Sequence, residues 1–353
     1  MSKKIILTGG GTAGHVMPNL ALVPSLKEAG FEISYIGSKS GMERELVENA
    51  GIPFHGISSG KLRRYFDLKN FTDPFRIIRG YFEARRLIKE FKPDVIFSKG
   101  GFVSVPVVYA AGAFKIPVVS HESDLTPGLA NKLAMPRVKK ICYTFPETEK
   151  FLGGKGVYTG SPVRASLFDG DRERAIRMCG FTDEKPVLLV TGGSLGAAAV
   201  NEAVRAALPQ LLEDFSVIHL TGRGKSDPAL SGTSGYAQFE FADEEMKDMF
   251  AAADIVISRA GANSICEIVS LKKPNILIPL PSGASRGDQI LNARSFEKQG
   301  FSVVLMQEDL TPDVLVEAVK KTHKNRASYI LAMEKADFSG AAKKIRDVIV
   351  ASL

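Results

Sequence analysis

The stretch IILTGGGTAGH, residues 5–15, decides the fold class of this chain. A short apolar run is followed by three glycines and then by a pattern that enters a helix, which is typical of the first turn of a Rossmann-like domain. A second stretch, LLVTGGSLGA at residues 188–197, has the same order of strand, Thr-Gly-Gly and helix. This weak internal repeat predicts an α/β protein with two Rossmann-like domains.

Short apolar runs of strand type, separated by helical patterns, indicate parallel sheets built from βαβ units. They lie at residues 4–9, 32–37, 94–100, 117–122, 140–144, 186–192, 215–222, 253–261 and 274–281. The boundary between the two sets falls near YTGSPVR (158–164), where Gly, Ser and Pro cluster. We therefore expect domains at 1–162 and 163–338, followed by a last helical segment at 339–353.

Composition limits the class of protein. Hydrophobic residues make up 44% of the 353 residues and charged residues 24%, which is ordinary for a globular protein. The three cysteines are far apart and the five histidines are scattered, so we expect neither a disulfide framework nor a zinc site. No window approaches the ~20 apolar residues of a membrane span. We expect a reducing cytosolic setting, no metal and no cofactor.

Positive charge is concentrated in one segment. The formal net charge is +7, and residues 61–92 alone contain ten Lys or Arg against four Asp or Glu. A general nucleic-acid binder would spread such charge along a groove, whereas this pattern indicates a patch. We therefore expect no nucleic-acid partner.

The two glycine loops suit a phosphate or diphosphate, because glycine lets an anion approach the unpaired N–H groups at a helix start. The alternative is that the glycines only make the turn. Gly9, Gly11 and Gly14 match the spacing of the dinucleotide fingerprint, but the next strand ends in residues 35–39 without the acid that would hold a ribose. This disfavours an NAD-binding site.

His15 directly follows the first loop and is a candidate general base. The positive end of a helix disfavours imidazolium, so the ring stays neutral and basic. The alternative, which the residues leave open, is a histidine that caps the helix or binds a phosphate.

Seven motifs in this order resemble the MurG family, the peripheral-membrane glycosyltransferases of bacterial cell-wall synthesis. They are GGGTAGHVMPNLAL (9–22), SKGGFVSVPVVYAA (98–111), HESDLTPGLANK (121–132), TGSPVR (159–164), TGGSLGA (191–197), SRAGANSICEI (258–268) and DQILNAR (288–294). The resemblance implies the GT-B fold, in which two Rossmann-like domains face a cleft. It also implies an N-terminal domain for the acceptor, a C-terminal domain for the UDP-sugar, and a last helix that returns to the N-terminal domain.

The activity that the resemblance implies is an inverting transfer of N-acetylglucosamine from UDP-N-acetylglucosamine to lipid I, forming lipid II. Glu267 matches the acid that binds the ribose hydroxyls, and a carboxylate is suited to accept two hydroxyl hydrogens. Ser194 matches a contact to the donor phosphate. Arg164 matches an arginine beside the nucleotide-sugar, where a guanidinium binds phosphate oxygens.

Further donor contacts are implied along the C-terminal half. The N–H groups of the loop and helix start at Ala262, Asn263, Ser264 and Ile265 would hold the diphosphate. Gln289 matches a contact to a sugar hydroxyl, and Ala242 lies near the place where backbone holds the uracil. The remaining residues that we assign to donor binding are Thr12, Ala13, Gly14, Asp124 and Asp288.

Three of these positions depart from the family pattern. Ala13 replaces a glycine, which is tolerable if its φ is negative. Ser123 and Asp124 stand where the family has Gln-Asn, and Asp124 accepts hydrogen bonds but cannot donate them as an amide would. Asp288 replaces the first of two glutamines. These changes put the fine selectivity for acceptor and sugar in doubt, and a paralogue with altered activity stays open.

The basic segment predicts a membrane-binding helix that starts at Asp73–Pro74. One stripe of apolar residues spaced at 3.6 residues per turn is the expected core face: Ile77, Tyr81, Ala84, Ile88 and Phe91. A second apolar cluster with surrounding cations suits an anionic lipid surface: Phe75, Ile78 and Phe82, with Arg79, Arg85, Arg86 and Lys89. The alternative is that a loop at 61–66 buries this cluster.

We therefore expect a peripheral protein on the cytoplasmic side of the cell membrane, at its anionic inner leaflet, with UDP-N-acetylglucosamine and lipid I as substrates. Three other functions remain open. They are a GT-B transferase with a different lipid acceptor, a UDP-N-acetylglucosamine epimerase, and a UDP-sugar sensor without activity.

Overall fold

The computed structural model describes residues 3–60, 69–182, 184–193, 196–283, 286–336, 338 and 340–353, with only the backbone for residues 69–72. The chain forms two compact units. The first consists of Met1–Arg164 together with Ser339–Leu353, and the second of Ala165–Phe338. The chain therefore leaves the first unit once and returns to it at its C-terminus.

The first unit contains a seven-stranded sheet in the order β3-β2-β1-β4-β5-β6-β7, in which every pair of neighbours is parallel. Its strands are β1 Lys3–Thr8, β2 Phe31–Ser38, β3 Phe54–Ile57, β4 Val95–Ser98, β5 Val118–Glu122, β6 Lys140–Tyr143 and β7 Gly156–Tyr158. Its helices are α1 Ala13–Glu28, α2 Glu43–Asn49, α3 Lys69–Phe91, α4 Ser104–Ala113 and α5 Leu129–Ala134.

Both faces of this sheet are buried, because helices cover each of them. In β1, Ile5 and Leu7 belong to the core on one face and Ile6 to the core on the other. The central strands are therefore apolar at successive positions, which explains why they stand out in the sequence.

The second unit contains a six-stranded parallel sheet in the order β10-β9-β8-β11-β12-β13. Its strands are β8 Val187–Thr191, β9 Ser216–Leu220, β10 Tyr236–Phe239, β11 Ala253–Ser258, β12 Asn275–Leu277 and β13 Ser302–Val304. Its helices are α6 Arg172–Cys179, α7 Ala198–Asp214, α8 Met246–Ala252, α9 Ala262–Ser270, α10 Asp288–Lys298, α11 Pro312–Lys324 and α12 Arg326–Lys335. The prediction of two α/β domains with parallel sheets is confirmed.

The last helix, α13 Ala341–Val350, packs on α1 in the first unit. Its Ile345 and Ile349 are fully buried in the core of that unit. Burial of each side chain contributes about 1.5–3 kcal/mol. Lys139 Nζ also donates to the carbonyl of Ser352 at 2.9 Å, so the chain end is fixed by polar as well as apolar contacts.

Helix α3 differs from the sequence expectation at its start. It begins at Lys69, so Pro74 lies inside the helix and not at its first position. The predicted core face is confirmed, since Ala84 and Ile88 are buried and Tyr81 packs against the same core. No helix of the described residues is long and apolar enough to cross a membrane.

Candidate functional site

The first glycine loop joins β1 to α1 at the carboxyl edge of the sheet. Gly11 has a φ of +88°, which favours glycine. Across the edge, a Cβ on Gly101 would lie 3.2 Å from the backbone nitrogen of Gly10, so two glycine-rich segments touch backbone to backbone. Thr12 precedes α1 in an extended conformation, and its side chain makes no capping hydrogen bond. Ala13 begins α1 and is not among the described residues with positive φ, so its extra methyl group fits.

His15 lies in the first turn of α1 and is half-buried. Its Nδ1 is 3.2 Å from the backbone carbonyl of Lys99, at the end of β4. A carbonyl oxygen only accepts, so Nδ1 carries the hydrogen and Nε2 has the lone pair that can take a proton. The neighbouring strand thus fixes the tautomer of the candidate base.

Behind His15, a buried chain of polar side chains links the ends of β4 and β5. The Lys99 side chain is 1% exposed, and its Nζ lies 2.8 Å from Nδ1 of His121 and also contacts the hydroxyl of Ser123. His121 Nε2 donates to the carbonyl of Gly160 at 2.8 Å. Burial, and then the charge of Lys99, hold the pKa of His121 well below its usual value. The ring is therefore neutral and relays hydrogen bonds from Lys99 to Gly160.

Asp124 is half-buried and lies beside a buried acid, Glu122. Its backbone N–H donates to Glu122 at 3.1 Å, and Glu122 also accepts from Gly128 N and from the Asn131 side chain. Burial, followed by the negative charge of Asp124, raises the pKa of Glu122. Asp124, Thr12, Ala13 and Gly14 all lie in the first unit, although they were grouped with the donor-binding residues.

Lys99 and His121 were not predicted as site residues from the sequence. Both lie inside motifs quoted above, SKGG and HESD, and both follow apolar runs at strand ends. A lysine at the end of a buried strand, where a solvated surface is not expected, was the signal that could have identified the buried chain.

In the second unit, the matching glycine loop joins β8 to α7. Gly193 and Gly196 have φ values of +79° and +66°, so both adopt a conformation that favours glycine. A Cβ on Gly192 would lie 2.8 Å from that of Ala197, so the loop is closely packed on itself. Ser194, the predicted phosphate contact, lies outside the described residues.

Helix α9 begins at the carboxyl end of β11 and presents its N–H groups at that edge. Its N-cap, Gly261, is extended and has no side chain to satisfy those groups. The Ile265 N–H already donates to the Gly261 carbonyl at 3.0 Å, and the Ile265 side chain is buried. Intrahelical bonding thus engages the Ile265 N–H, which the prediction assigned to a diphosphate.

Three residues of the predicted set remain at the start of α9: Ala262, Asn263 and Ser264. Glu267 lies one turn further along the same helix and is half-buried. A helix start with a carboxylate one turn away can bind an anion and hydroxyl groups at neighbouring positions.

The predicted sugar contacts lie at the start of α10. Asp288 forms an ion pair with Arg286, with Nε and Oδ2 2.6 Å apart. Gln289 accepts from the backbone N–H of Leu280 at 3.0 Å, so its carbonyl oxygen is engaged by the loop after β12. The positive φ of Gly287, +78°, turns the chain into this helix.

Arg259, which was not predicted as a site residue, fixes the same loop. It lies at the end of β11, is 8% exposed, and donates to the carbonyls of Ile278 and Pro279 at 3.0 and 3.2 Å. It also donates to Gln307 at 2.6 Å. Burial lowers the pKa of Arg259. This arginine ties the ends of two neighbouring strands together beneath the start of α9.

Ala242 follows β10 and is buried, whereas the preceding Phe241 is 52% exposed. The guanidinium carbon of Arg223 lies 5.6 Å from the centre of the Phe241 ring. Neither residue was singled out from the sequence. Arg164 is half-buried and is the last residue of the first unit before the chain enters the second.

The second apolar cluster of α3 is exposed: Phe75 by 74%, Ile78 by 56% and Phe82 by 58%. Two arginines beside it are paired on their own helix. Arg79 donates to Glu83 at 3.1 Å and Arg86 to Glu90 at 2.8 Å, each one turn further along. The alternative prediction was that the loop at 61–66 buries this cluster, and that loop lies outside the described residues.

Among the described residues, no group of three or more His, Cys, Asp or Glu side chains is placed to hold a metal ion.

The arrangement in each unit is the same in outline. A strand ends in a glycine loop, the loop enters a helix, and side chains from neighbouring strand ends gather beside it.

Two family models match the chain. The glycosyltransferase family 28 N-terminal domain matches residues 5–143, and the corresponding C-terminal domain matches residues 187–349. A Lachnospira eligens protein is 60% identical over 348 residues, covering 98% of each chain. Its name is UDP-N-acetylglucosamine–N-acetylmuramyl-(pentapeptide) pyrophosphoryl-undecaprenol N-acetylglucosamine transferase.

A Clostridium perfringens protein of the same name is 55% identical over 347 residues, covering 98% of this chain and 97% of its own. Among solved structures, the crystal structure of Acinetobacter baumannii MurG aligns with a TM-score of 0.77 at 27% identity and covers 99% of both chains.

Proposed function

This chain belongs to glycosyltransferase family 28, and we propose that it transfers N-acetylglucosamine from UDP-N-acetylglucosamine to lipid I, forming lipid II. Both units have the parallel α/β sheets of the GT-B fold. The similarity to transferases of this name extends over 98% of the chain, which supports the whole reaction and not only one domain.

The start of α9 is the observation that carries the donor half of the proposal. Ala262, Asn263 and Ser264 form the first turn of a helix whose N-cap is glycine, and Glu267 lies one turn further along. The positive end of the helix would bind the diphosphate of UDP, and the carboxylate would accept from the ribose hydroxyls. Arg164 and Ser194 are proposed to add contacts to the phosphate oxygens.

The proposed reaction is a single displacement with inversion. The acceptor hydroxyl oxygen forms a bond to the anomeric carbon while the bond from that carbon to the phosphate oxygen breaks, and UDP leaves with the electron pair. His15 Nε2 takes the hydroxyl proton, because its Nδ1 is held by the Lys99 carbonyl. Backbone amides at the helix start stabilise the charge that develops on the diphosphate.

The exposed cluster on α3 supports a peripheral membrane location on the cytoplasmic side. Phe75, Ile78 and Phe82 would enter the interface between lipid head groups and acyl chains, and nearby cations would face an anionic leaflet. Because Arg79 and Arg86 are paired with acids, the apolar side chains are expected to contribute more to binding than the two arginines.

The direct test incubates the protein with labelled UDP-N-acetylglucosamine and a lipid I analogue. We expect one UDP released for each β-linked sugar transferred. A label that appears only in a free sugar isomer would indicate the epimerase, and donor binding without any turnover would indicate the sensor. Transfer to another lipid but not to the lipid I analogue would indicate a different acceptor.

A further inference from the structure

The loop after β9 lies directly against the glycine loop that joins β8 to α7 in the second unit. A Cβ on Gly196 would lie 2.8 Å from the Cα of Gly222, so the two loops touch through their backbones. The loop at 221–226 has the sequence TGRGKS and is not among the predicted site residues. Because both loops leave the carboxyl ends of adjacent strands, they border the same edge of the sheet.

This loop is held at both ends. Asn201 donates to the Thr221 carbonyl at 2.8 Å, and Arg205 donates to the Lys225 carbonyl. At its tip, Arg223 stands between Gly222 and Gly224, whose φ values are +95° and +66°. The two anchors restrain the position from which the exposed Arg223 side chain leaves the backbone.

The guanidinium of Arg223 reaches the next strand end. Its central carbon lies 5.6 Å from the centre of the Phe241 ring, within the range of a cation–π contact. Phe241 is 52% exposed, although it immediately precedes the buried Ala242. An exposed aromatic ring with a planar cation against it is a suitable surface for a flat base to stack on.

We propose that Arg223 is a positioning residue for the nucleotide base of the donor, acting by holding the ring of Phe241 for stacking on a pyrimidine. This inference rests on the proposed function, because it takes a uridine diphosphate sugar as the ligand of the second unit. Arg223 supplies no proton and makes no bond in the reaction. Its effect falls on donor affinity.

The test is a double-mutant cycle on UDP binding and on transfer kinetics, with R223A, F241A and the double variant. We expect R223A to raise the Kd for UDP and the KM for UDP-N-acetylglucosamine by about 3- to 10-fold, with kcat changed less than 2-fold. F241A is expected to raise both by about 10-fold or more, since stacking on the base is lost. The double variant is expected to bind UDP as F241A does.

R177A is the matched control, because Arg177 is an exposed arginine of the same unit that pairs with Glu173 on α6. It is expected to bind UDP as the wild type does. An R223A variant with unchanged UDP affinity would overturn the inference. The inference would also be overturned if the fold-increase in Kd for UDP of the double variant equalled the product of the two single increases. Arg223 would then act on the diphosphate independently of Phe241.

The wild type separates this inference from the proposed function. A wild type that binds UDP-N-acetylglucosamine but transfers nothing to a lipid I analogue contradicts the transferase, and the binding cycle still decides the role of Arg223. A wild type that binds no UDP-sugar overturns both. Normal transfer together with an unaffected R223A overturns the role of Arg223 alone.

Discussion

The carboxyl edges of the two sheets are built on the same frame. In the first unit, Asn19 of α1 donates to the Thr8 carbonyl at 3.2 Å and to the Tyr35 hydroxyl at 3.1 Å. Tyr35 in turn donates to the Gly9 carbonyl at 2.8 Å. A buried asparagine on the helix and an aromatic side chain on the next strand thus hold the glycine loop.

The second unit has an asparagine and an aromatic ring in matching places. Asn201 of α7 donates to the Thr221 carbonyl, and its side-chain oxygen lies 3.1 Å from Nε2 of His219. In the sheet register, His219 pairs with Val190, the residue before the terminal Thr191 of β8. Tyr35 pairs with Leu7, which stands in the same place before Thr8. The internal repeat therefore extends to an asparagine and an aromatic ring in each unit, although Asn19 bonds the end of its own strand and Asn201 the end of the neighbouring strand.

What lies beside the loops differs. The first unit buries ionisable side chains there: Lys99, His121 and Glu122. The second unit also buries His219 and Arg259 there, but in addition it presents a helix start with a glycine N-cap and an exposed aromatic ring at Phe241. The same frame thus supports two kinds of chemistry. We propose that side chains at one edge hold or move a proton, and that backbone dipoles at the other bind an anion.

The largest effect that would test this division comes from His15. His15→Ala is expected to lower kcat for transfer by about 10²- to 10⁴-fold, because the acceptor hydroxyl loses its base. The Kd for UDP is expected to stay the same, since UDP is proposed to bind at the edge of the second sheet. Steady-state kinetics with a lipid I analogue and calorimetry with UDP measure the two quantities.

His55→Ala is the matched control, because His55 is an exposed histidine of the same unit on β3. It is expected to keep full activity. If His15→Ala weakened UDP binding while leaving kcat unchanged, His15 would be a phosphate ligand and the two edges would not differ as described.

Glu267 gives the reciprocal test on the second edge. Glu267→Ala is expected to raise the KM for UDP-N-acetylglucosamine by about 10- to 100-fold, because two hydroxyl groups lose a charged acceptor. The KM for the lipid acceptor is expected to stay within 2-fold. Kinetics with each substrate varied in turn provide both values.

A donor with a 2′-deoxyribose is the control for this assignment. It is expected to bind the wild type more weakly than the normal donor, and Glu267→Ala is expected to distinguish the two less well. Equal discrimination in both proteins would place the ribose elsewhere.

The buried histidines predict an acid sensitivity shared by both units. Burial, then the charge of Lys99, lowers the pKa of His121, and burial, then the charge of Arg205, lowers that of His219 to about 3. Unfolded histidine takes up its proton near pH 6.5, so the unfolded state binds more protons below that pH. Lowering the pH from 7 to 5 should reduce the free energy of unfolding by about 2 kcal/mol through His219, and His121 should add a loss of the same sign.

Urea unfolding at pH 7, 6 and 5 measures this loss. His219→Gln is the control, because glutamine does not titrate, and its stability is expected to fall less steeply with pH than that of the wild type. A variant with the same pH dependence as the wild type would show that His219 does not contribute.

The smallest expected effect concerns a surface of the first unit only. Phe75→Asp combined with Phe82→Asp should weaken binding to anionic vesicles by about 10-fold or more, because two apolar side chains no longer enter the interface. The Kd for UDP should be unchanged. Vesicle sedimentation and calorimetry are the measurements.

Leu331→Asp is the comparison, since Leu331 is a 53% exposed apolar residue of α12 in the second unit. It is expected to bind vesicles as the wild type does. Unchanged vesicle binding of the Phe75 and Phe82 variant would remove α3 from the membrane surface.

The nine strands identified from sequence are all present, and the four that were missed are the edge strands of the two sheets. They are β3, β7, β10 and β13. Central strands are buried on both faces and read as continuous apolar runs, whereas β7 and β13 have only three residues each and little burial. Local sequence carries a weak signal for such strands, because their place is decided by the neighbour they pair with.

The residues of the candidate site were likewise predicted only in part from the sequence. His15 follows from a glycine loop next to an apolar run, which is a local pattern, whereas the start of α9 was assigned from the resemblance to the family. The contacts of Lys99 with His121 and of Arg259 with Ile278 join strands that are 22 and 19 residues apart in the chain. Such pairings arise only when the sheet forms, so no window of sequence contains them. The engagement of the Ile265 N–H by Gly261 was predictable from helix geometry and was overlooked.

The burial of α13 in the first unit has a consequence for synthesis on the ribosome. Ile345 and Ile349 complete a core whose other members lie between residues 5 and 142. The second unit, by contrast, has all of its residues by Phe338. The core of the first unit therefore cannot be completed until α13 has been synthesised, although most of that unit is translated first. The second unit is translated later but can complete its fold earlier.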